Sequence, residues 1–335
     1  VKYNKDADRD TNVLIYGIEP LVAENRKRIG VWAVGSKSGF NIFNENEIKV
    51  INEFIRRGGR ILFNCMSGGV VNEHLFKENF HAYMLLDIDI SKFNADRQRI
   101  LYMNHSMMVR SMPEEDEFFY EPIFKEKEFD YSITTWAFDN TYKRFDRAIK
   151  IIDLLARAGF KGQLFLSRLE QIPPLPPVLG YWQSTGRLKI YSKLPPRDYH
   201  REQARAKFGI FPNTIDAFPK ACIENILTDK YVVVSHDLLI GKSTITPEIG
   251  QIIDFDSPTW ESQLLEVMKK EVKTSPRAAW LKKYNFEEVS KIWAREINKL
   301  LGTNYQQVFY EYHLERVPRI DKYYEYIKNA KAFQK

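Results

Sequence analysis

Short apolar, β-branched runs alternate along the chain with longer stretches whose apolar positions recur every three or four residues. The short runs predict strands at Asn12–Tyr16, Arg60–Asn64, Tyr83–Ile90, Ile100–Asn104, Tyr131–Trp136, Gln163–Ser167, Leu188–Tyr191 and Tyr231–Ser235. The longer stretches predict helices at Glu45–Arg57, Lys143–Ala158, Arg197–Phe208, Pro219–Leu227, Trp260–Lys273 and Phe286–Leu300. Strands that alternate with helices of this length form parallel sheets covered on both faces, so the expected class is α/β. Val232, Val233 and Val234 make an unbroken β-branched run, as a fully buried parallel strand does. Pro195 and Pro196 suit a first helical turn. Pro173–Pro177 reads as a proline-rich loop, and the tail from Tyr305 on reads as helical.

Composition sets the scale. A chain of 335 residues with 44% apolar and 28% charged residues builds a sizeable core, most simply in two domains. These figures exclude disordered and low-complexity classes. The acidic stretch Pro113–Asp130 carries Glu114, Glu115, Asp116, Glu117, Glu121, Glu126 and Glu128 and separates two groups of strands. The expected division is therefore 1–128, 129–305 and a tail at 306–335. Only two cysteines occur, Cys65 and Cys222, which excludes a disulfide-stapled mini-domain and a cysteine zinc cluster. No apolar run approaches the ~18 residues that span a bilayer, and no N-terminal signal pattern is visible. The expectation is a cytoplasmic protein in a reducing compartment. Fifty Lys and Arg against 44 acidic residues give a net charge of +6. Such a surface attracts the phosphates of nucleotides, nucleic acids or anionic lipids.

Candidate chemistry concentrates in Asn213–Ser235. Asp216 lies in a loop, Phe218 and Pro219 lead into a helix, Glu224 projects from that helix, and the valine strand follows. Amide groups at a helix N-terminus favour phosphate or polar oxygens. Carboxylates accept hydrogen bonds from vicinal hydroxyls, as in the holding of sugars and riboses. An ordinary capped helix before a core strand shows the same pattern.

The stretch resembles the acidic-x7-Glu signature of retaining glycosyltransferases with the GT-B fold (glycosyl transferases group 1). Asp216 holds the first acidic position and Glu224 the second, with seven residues between them; Phe218, Pro219 and the valine strand fit as well. Ala217 stands where Gly is usual, and Asp229-Lys230-Tyr231 replaces Gly-x-Pro. Tyr131–Ala158 resembles the opening of the family's second domain. Lys143 matches its diphosphate-binding Lys, Phe138 occupies the Arg position, and Arg144 or Arg168 is left as the second cation. Ile100–Ser106 resembles the first-domain strand after which the family carries a His, here His105.

The resemblance implies two doubly wound, Rossmann-like domains facing a cleft, with the C-terminal helix crossing back to the first. It implies a nucleotide-sugar donor, a UDP-sugar, held mainly by the second domain. Glu224 would bind the ribose, and Asp216 with the amides after it would bind the sugar hydroxyls, with Ala217, Phe218 and Pro219 as donor-binding residues. Lys143 would neutralise the diphosphate, and His105 would contact the sugar. Transfer would retain the anomeric configuration, with no cofactor or metal required. Gly68-Gly69 is a candidate acceptor-side loop, and Lys242, Ser243 and Thr244 are candidate phosphate contacts. The acceptor classes are a saccharide, a lipid-linked saccharide, a protein, or a hydroxymethylated base in DNA. Arg56, Arg57, Arg60, Arg97 and Arg99 suit DNA, and an anionic membrane surface explains the same charges. The rival class is a non-catalytic nucleic-acid-binding protein.

Two further patterns are weaker. Gly241-Lys242-Ser243-Thr244 lacks the earlier glycine of a phosphate loop, since His236 stands there. Asp87-Ile88-Asp89 has the spacing of a metal-binding pair but sits in an alternating strand pattern, so no metal is expected.

Overall fold

Among the described residues, strand pairing forms two six-stranded sheets. The computed structural model describes residues 18–24, 28–35, parts of 49–64, 82–85, 100–102, 127–166 except 137 and 142, 174–214 except 193, and 220–310 except 239 and 240. By internal packing there are two units: Val1–Met112 with Tyr284–Lys335, and Pro113–Lys283. The boundary expected at 128/129 falls within the span of the second unit.

The first unit holds β1 (Ile18–Ala23), β2 (Arg28–Gly35), β3 (Arg60–Asn64), β4 (Ala82–Leu85), β5 (Ile100–Tyr102) and β12 (Val308–Tyr310), in the order β12-β1-β2-β3-β4-β5. The pairs from β2 to β5 are parallel, whereas β1 runs antiparallel to both β2 and β12. Positions 49, 52, 53, 55 and 56 are helical, inside the helix expected at 45–57. Helix α7 (Phe286–Leu301) packs against β12 and β5. Asn285 caps it by accepting from the Glu288 amide at 3.0 Å, and Gly302, at φ 66°, ends it in the left-handed conformation that glycine tolerates. Val289, Trp293, Ala294 and Ile297 recur on one face and are buried. The tail expected to be helical begins with a strand: β12 adds to the sheet edge through Leu21↔Tyr310 and Ala23↔Val308.

The second unit holds β6 (Phe129–Thr135), β7 (Gly162–Leu166), β8 (Leu188–Tyr191), β9 (Ala206–Phe211), β10 (Tyr231–Ser235) and β11 (Gly250–Ile253). Their order is β8-β7-β6-β9-β10-β11, and every neighbouring pair is parallel. Counted from β6, this is the 3-2-1-4-5-6 order of a doubly wound dinucleotide-type sheet.

Side chains alternate between the two faces of this sheet. Tyr131, Ile133, Leu164, Leu166, Phe208, Ile210 and Val233 pack with α1 (Phe145–Arg157), α2 (Pro177–Ser184) and α5 (Trp260–Lys269). Helix α1 gives Phe145, Ala148, Ile151, Ile152 and Leu155, the stripe that its sequence period predicts. On the opposite face lie α3 (Pro196–Gln203) and α4 (Lys220–Leu227). Thr134 meets Tyr199 of α3 there at 2.9 Å, and Ser132 meets Asn225 of α4 at 3.4 Å. Helix α6 (Pro276–Tyr284) follows, with Asp229 at its start: the Asp229 carboxylate accepts from Ser275 Oγ at 2.6 Å and from the Arg277 amide at 3.2 Å. Cys222 is fully buried on α4, and burial pushes its thiol well above the ordinary value.

Candidate functional site

The strand order of the second sheet reverses between β6 and β9. From their carboxyl ends the chain departs in opposite directions, to α1 on one face and towards α4 on the other. Ligands of open α/β sheets bind at such a point, because the diverging loops leave a crevice there.

The loop from β6 to α1 is tightly specified. The Asp139 amide donates to the Trp136 carbonyl (3.3 Å), and the Phe145 amide donates to the Asp139 carbonyl (2.8 Å). Asp139 Oδ1 accepts from the Thr141 amide, and Asn140 Oδ1 accepts from the Asp146 amide, each at 3.0 Å. Thr135 Oγ1 donates to the Lys143 carbonyl at 3.2 Å. Across the switch point, Thr214 Oγ1 donates to the Thr141 carbonyl at 2.7 Å, tying the loop after β9 to the loop after β6. Asn213 is buried beside it.

Two non-glycine residues of this loop have left-handed backbone, Phe138 at φ 63° and Arg144 at φ 48°. Such conformations are costly for a bulky residue and persist where surrounding contacts over-determine them. The Phe138 side chain is 57% exposed, with its ring edge-on to Phe145 at 5.5 Å between centroids.

Lys143 lies on this loop, with Nζ 5.1 Å from the centre of the Trp136 ring. Arg144 is engaged locally: Nε and Nη2 donate to the two oxygens of Asp146 at 2.9 and 2.8 Å. That bidentate pair holds the Asp146 carboxyl below its ordinary value.

One functional-looking residue escapes sequence reasoning. Arg147 lies in the first turn of α1 and is 4% exposed. It donates to Ser235 Oγ at 3.3 Å and Asp237 Oδ2 at 2.9 Å, and it pairs with Asp256. The carboxyl ends of β10 and β11 are thereby fastened to α1. A cavity of about 50 Å³ beside it is lined by Arg144, Arg147, Lys150, Phe255, Asp256 and Trp260. The only sequence signal is a charge at a position next to the apolar stripe of α1.

Helix α4 carries Glu224, which is 7% exposed; the nearby buried Lys230 feels its charge. Lys242, Ser243 and Thr244 form a 3-10 turn after β10. Lys242 Nζ donates back to the His236 carbonyl at 2.8 Å, and the buried Thr244 hydroxyl donates to the Gly241 carbonyl at 2.6 Å. Ser243 is exposed. Lys143 and Arg144 thus share the β6–α1 loop, Glu224 sits on α4, and the Lys242–Thr244 turn follows β10. His105, Gly68, Gly69, Arg168, Asp216, Ala217, Phe218 and Pro219 lie outside the described residues. Among the described residues, no group of three or more His, Cys, Asp or Glu is placed to hold a metal ion. Among them, too, no helix is long and apolar enough to cross a membrane.

No protein-family model matches the sequence, and no curated protein matches it. Solved structures do match. The lipopolysaccharide outer core galactosyltransferase WaaB is similar over 77% of this chain and 73% of its own, with a TM-score of 0.53 and 13% identity. TarM is similar over 72% of this chain, with a TM-score of 0.50 and 13% identity. The pneumococcal O-GlcNAc transferase GtfA, solved with UDP and GlcNAc, is similar over 76% of this chain, with a TM-score of 0.51 and 11% identity. The chain spans 50% of the length of TarM and 55% of that of GtfA. At such identities the likeness is one of fold: this is an α/β chain with the Rossmann-like architecture found in GT-B glycosyltransferases.

Proposed function

We infer that the protein is a glycosyltransferase that moves a sugar from a nucleotide-sugar, a UDP-sugar, to an acceptor hydroxyl with retention of configuration. The observation that carries this reading is the switch point between β6 and β9, with Lys143 on the loop at their carboxyl ends. The fold likeness to WaaB and to GtfA, the latter solved with UDP and GlcNAc, supports it.

In this reading the second unit holds the donor. As the glycosidic bond breaks, negative charge builds on the departing diphosphate. Lys143, whose backbone carbonyl accepts from Thr135 Oγ1, neutralises that charge through its ammonium. Amides at the start of α4, with Asp216 before them, hold the sugar hydroxyls, and Glu224 holds the ribose. His105 contacts the sugar, and Arg168 is a second cation for the phosphates. The transition state is oxocarbenium-like; the C–O bond to the diphosphate breaks, and the acceptor hydroxyl bonds the anomeric carbon from that same face, passing its proton to the departing phosphate oxygen. Neither a metal nor another cofactor has a role in this scheme. The acceptor is a saccharide or lipid-linked saccharide, with Gly68 and Gly69 on its side.

Thermal shift with UDP, GDP and their sugars tests the reading, since a ligand of the native state raises the melting temperature. The expected result is a shift with a UDP-sugar, and release of UDP when acceptor is added. No shift with any nucleotide would overturn it. Mass spectrometry of saccharide and hydroxymethylated-DNA acceptors incubated with the donor tests the acceptor class.

A further inference from the structure

Among the described residues only two large apolar side chains are mostly exposed, Phe138 and Tyr181. Their settings differ. Tyr181 stands on an ordinary surface helix against Trp182. Phe138 stands on the switch-point loop at φ 63°, a left-handed conformation that is unfavourable for a bulky L-residue. Two destabilising features, a strained backbone and an apolar ring in water, coincide at one residue. The loop holds it there through the Asp139–Trp136 and Phe145–Asp139 backbone bonds on either side. The ring is braced by one edge contact to Phe145 while most of its surface faces solvent. The same loop carries Lys143. A cation and an open aromatic face on one loop complement a ligand that has an anionic group linked to a ring with an apolar or π face.

We propose that Phe138 is a stacking platform for a ring of the nucleotide-sugar, either its base or its sugar. This rests on the reading of the switch point as a donor site and names a specificity residue within it. Lys143 holds the phosphates, and Phe138 covers one face of the adjoining ring and excludes water from it. Base–aromatic stacking is worth ~1–3 kcal/mol per base, so removing the ring weakens binding about 5- to 150-fold.

The test is calorimetric binding of UDP and of UDP-glucose to the full chain and to Phe138→Ala, Phe138→Trp, Phe138→Gly and Lys143→Ala. Phe138→Gly is the folding control, because glycine accepts the left-handed conformation and should leave the melting temperature equal or higher. The proposal expects Phe138→Ala and Phe138→Gly to lose affinity and Phe138→Trp to keep it. Equal loss for UDP and UDP-glucose assigns the ring to the base. Loss for UDP-glucose alone assigns it to the sugar. If Lys143→Ala weakens both ligands while all three Phe138 variants bind like wild type, the stacking proposal fails and the donor-site reading stands. If the wild-type chain binds neither ligand, both fail.

Discussion

Replacing Lys230 with Met tests how the second unit is built. Lys230 is fully buried at the amino end of β10, and its Nζ donates to Ser132 Oγ on β6 at 3.0 Å. Ser132 in turn has Asn225 Oδ1 and the Phe208 carbonyl at 3.4 Å as acceptors. Burial holds the Lys230 amine well below its ordinary value; repulsion from Lys127 adds to this, and Glu224 opposes it. In the unfolded chain the amine titrates at ~10.4. Between the folded and unfolded values the unfolded state binds one more proton. Stability therefore rises with pH across that window and is lost as pH falls through it. Within that window the slope for one proton is ~1.4 kcal/mol per pH unit. Met is close in size, carries no proton, and leaves the Ser132 hydroxyl with its own acceptors. Lys230→Met should be the more stable protein at neutral pH, with the two stabilities converging as pH rises towards ~10. Urea denaturation at a series of pH values, read through hydrogen exchange of the β10 amides, measures the difference. Parallel curves for the two proteins would mean that Lys230 keeps its charge when folded, with Glu224 outweighing burial, and would refute the reasoning.

Other substitutions probe the sheet and the site. Gly162→Ala places a methyl 2.1 Å from Cζ of the buried Tyr131 ring, and should cost about 3 kcal/mol in urea denaturation. Arg147→Ala removes the charged hydrogen bonds that join α1 to Asp237 and Asp256, and should cost about 2 kcal/mol. Arg147→Lys should recover only part of it, as followed by thermal melting. Asp229→Gly frees a left-handed residue at φ 62° but strips the start of α6 of its carboxylate partner; Asp229→Asn should retain more of the melting temperature than Asp229→Ala. Lys143→Ala should weaken UDP-sugar binding about tenfold with little change in melting temperature, since the side chain is only partly buried on a surface loop.

Much of the second unit is legible because its strands are buried on both faces. There the runs at β8 and β10 fall within the residues that the apolar pattern predicts, and α1, α4 and α5 differ from expectation only near their ends; in the first unit the same holds of β3 and α7. Other elements are hidden for local reasons. Pro177 reads as part of a proline-rich loop, yet it stands at the first turn of α2, where its missing amide costs nothing. In β1 and β2, Pro20 and Gly30 interrupt the β-rich runs, and partner strands stabilise what the local pattern obscures. The tail strand β12 exists only through its pairing with β1, far away in sequence.

The site depends on the strand that is hardest to see. Arg197–Phe208 reads as one helix, but α3 stops at Gln203, and Ala206–Phe211 turns into β9. Local propensity cannot reveal this, because β9 gains its stability from parallel pairing with β6 on one side and β10 on the other. Once β9 lies beside β6, the strand order reverses there, and the loops carrying Lys143 and Thr214 become neighbours. Arg147 is hidden by the same logic: its partners Ser235, Asp237 and Asp256 meet it only after β10 and β11 have joined the sheet. The chemistry of Lys143 is written in its residue type, but what makes it a candidate for donor binding is position. That position is created by the insertion of one strand whose own sequence looks like the end of a helix.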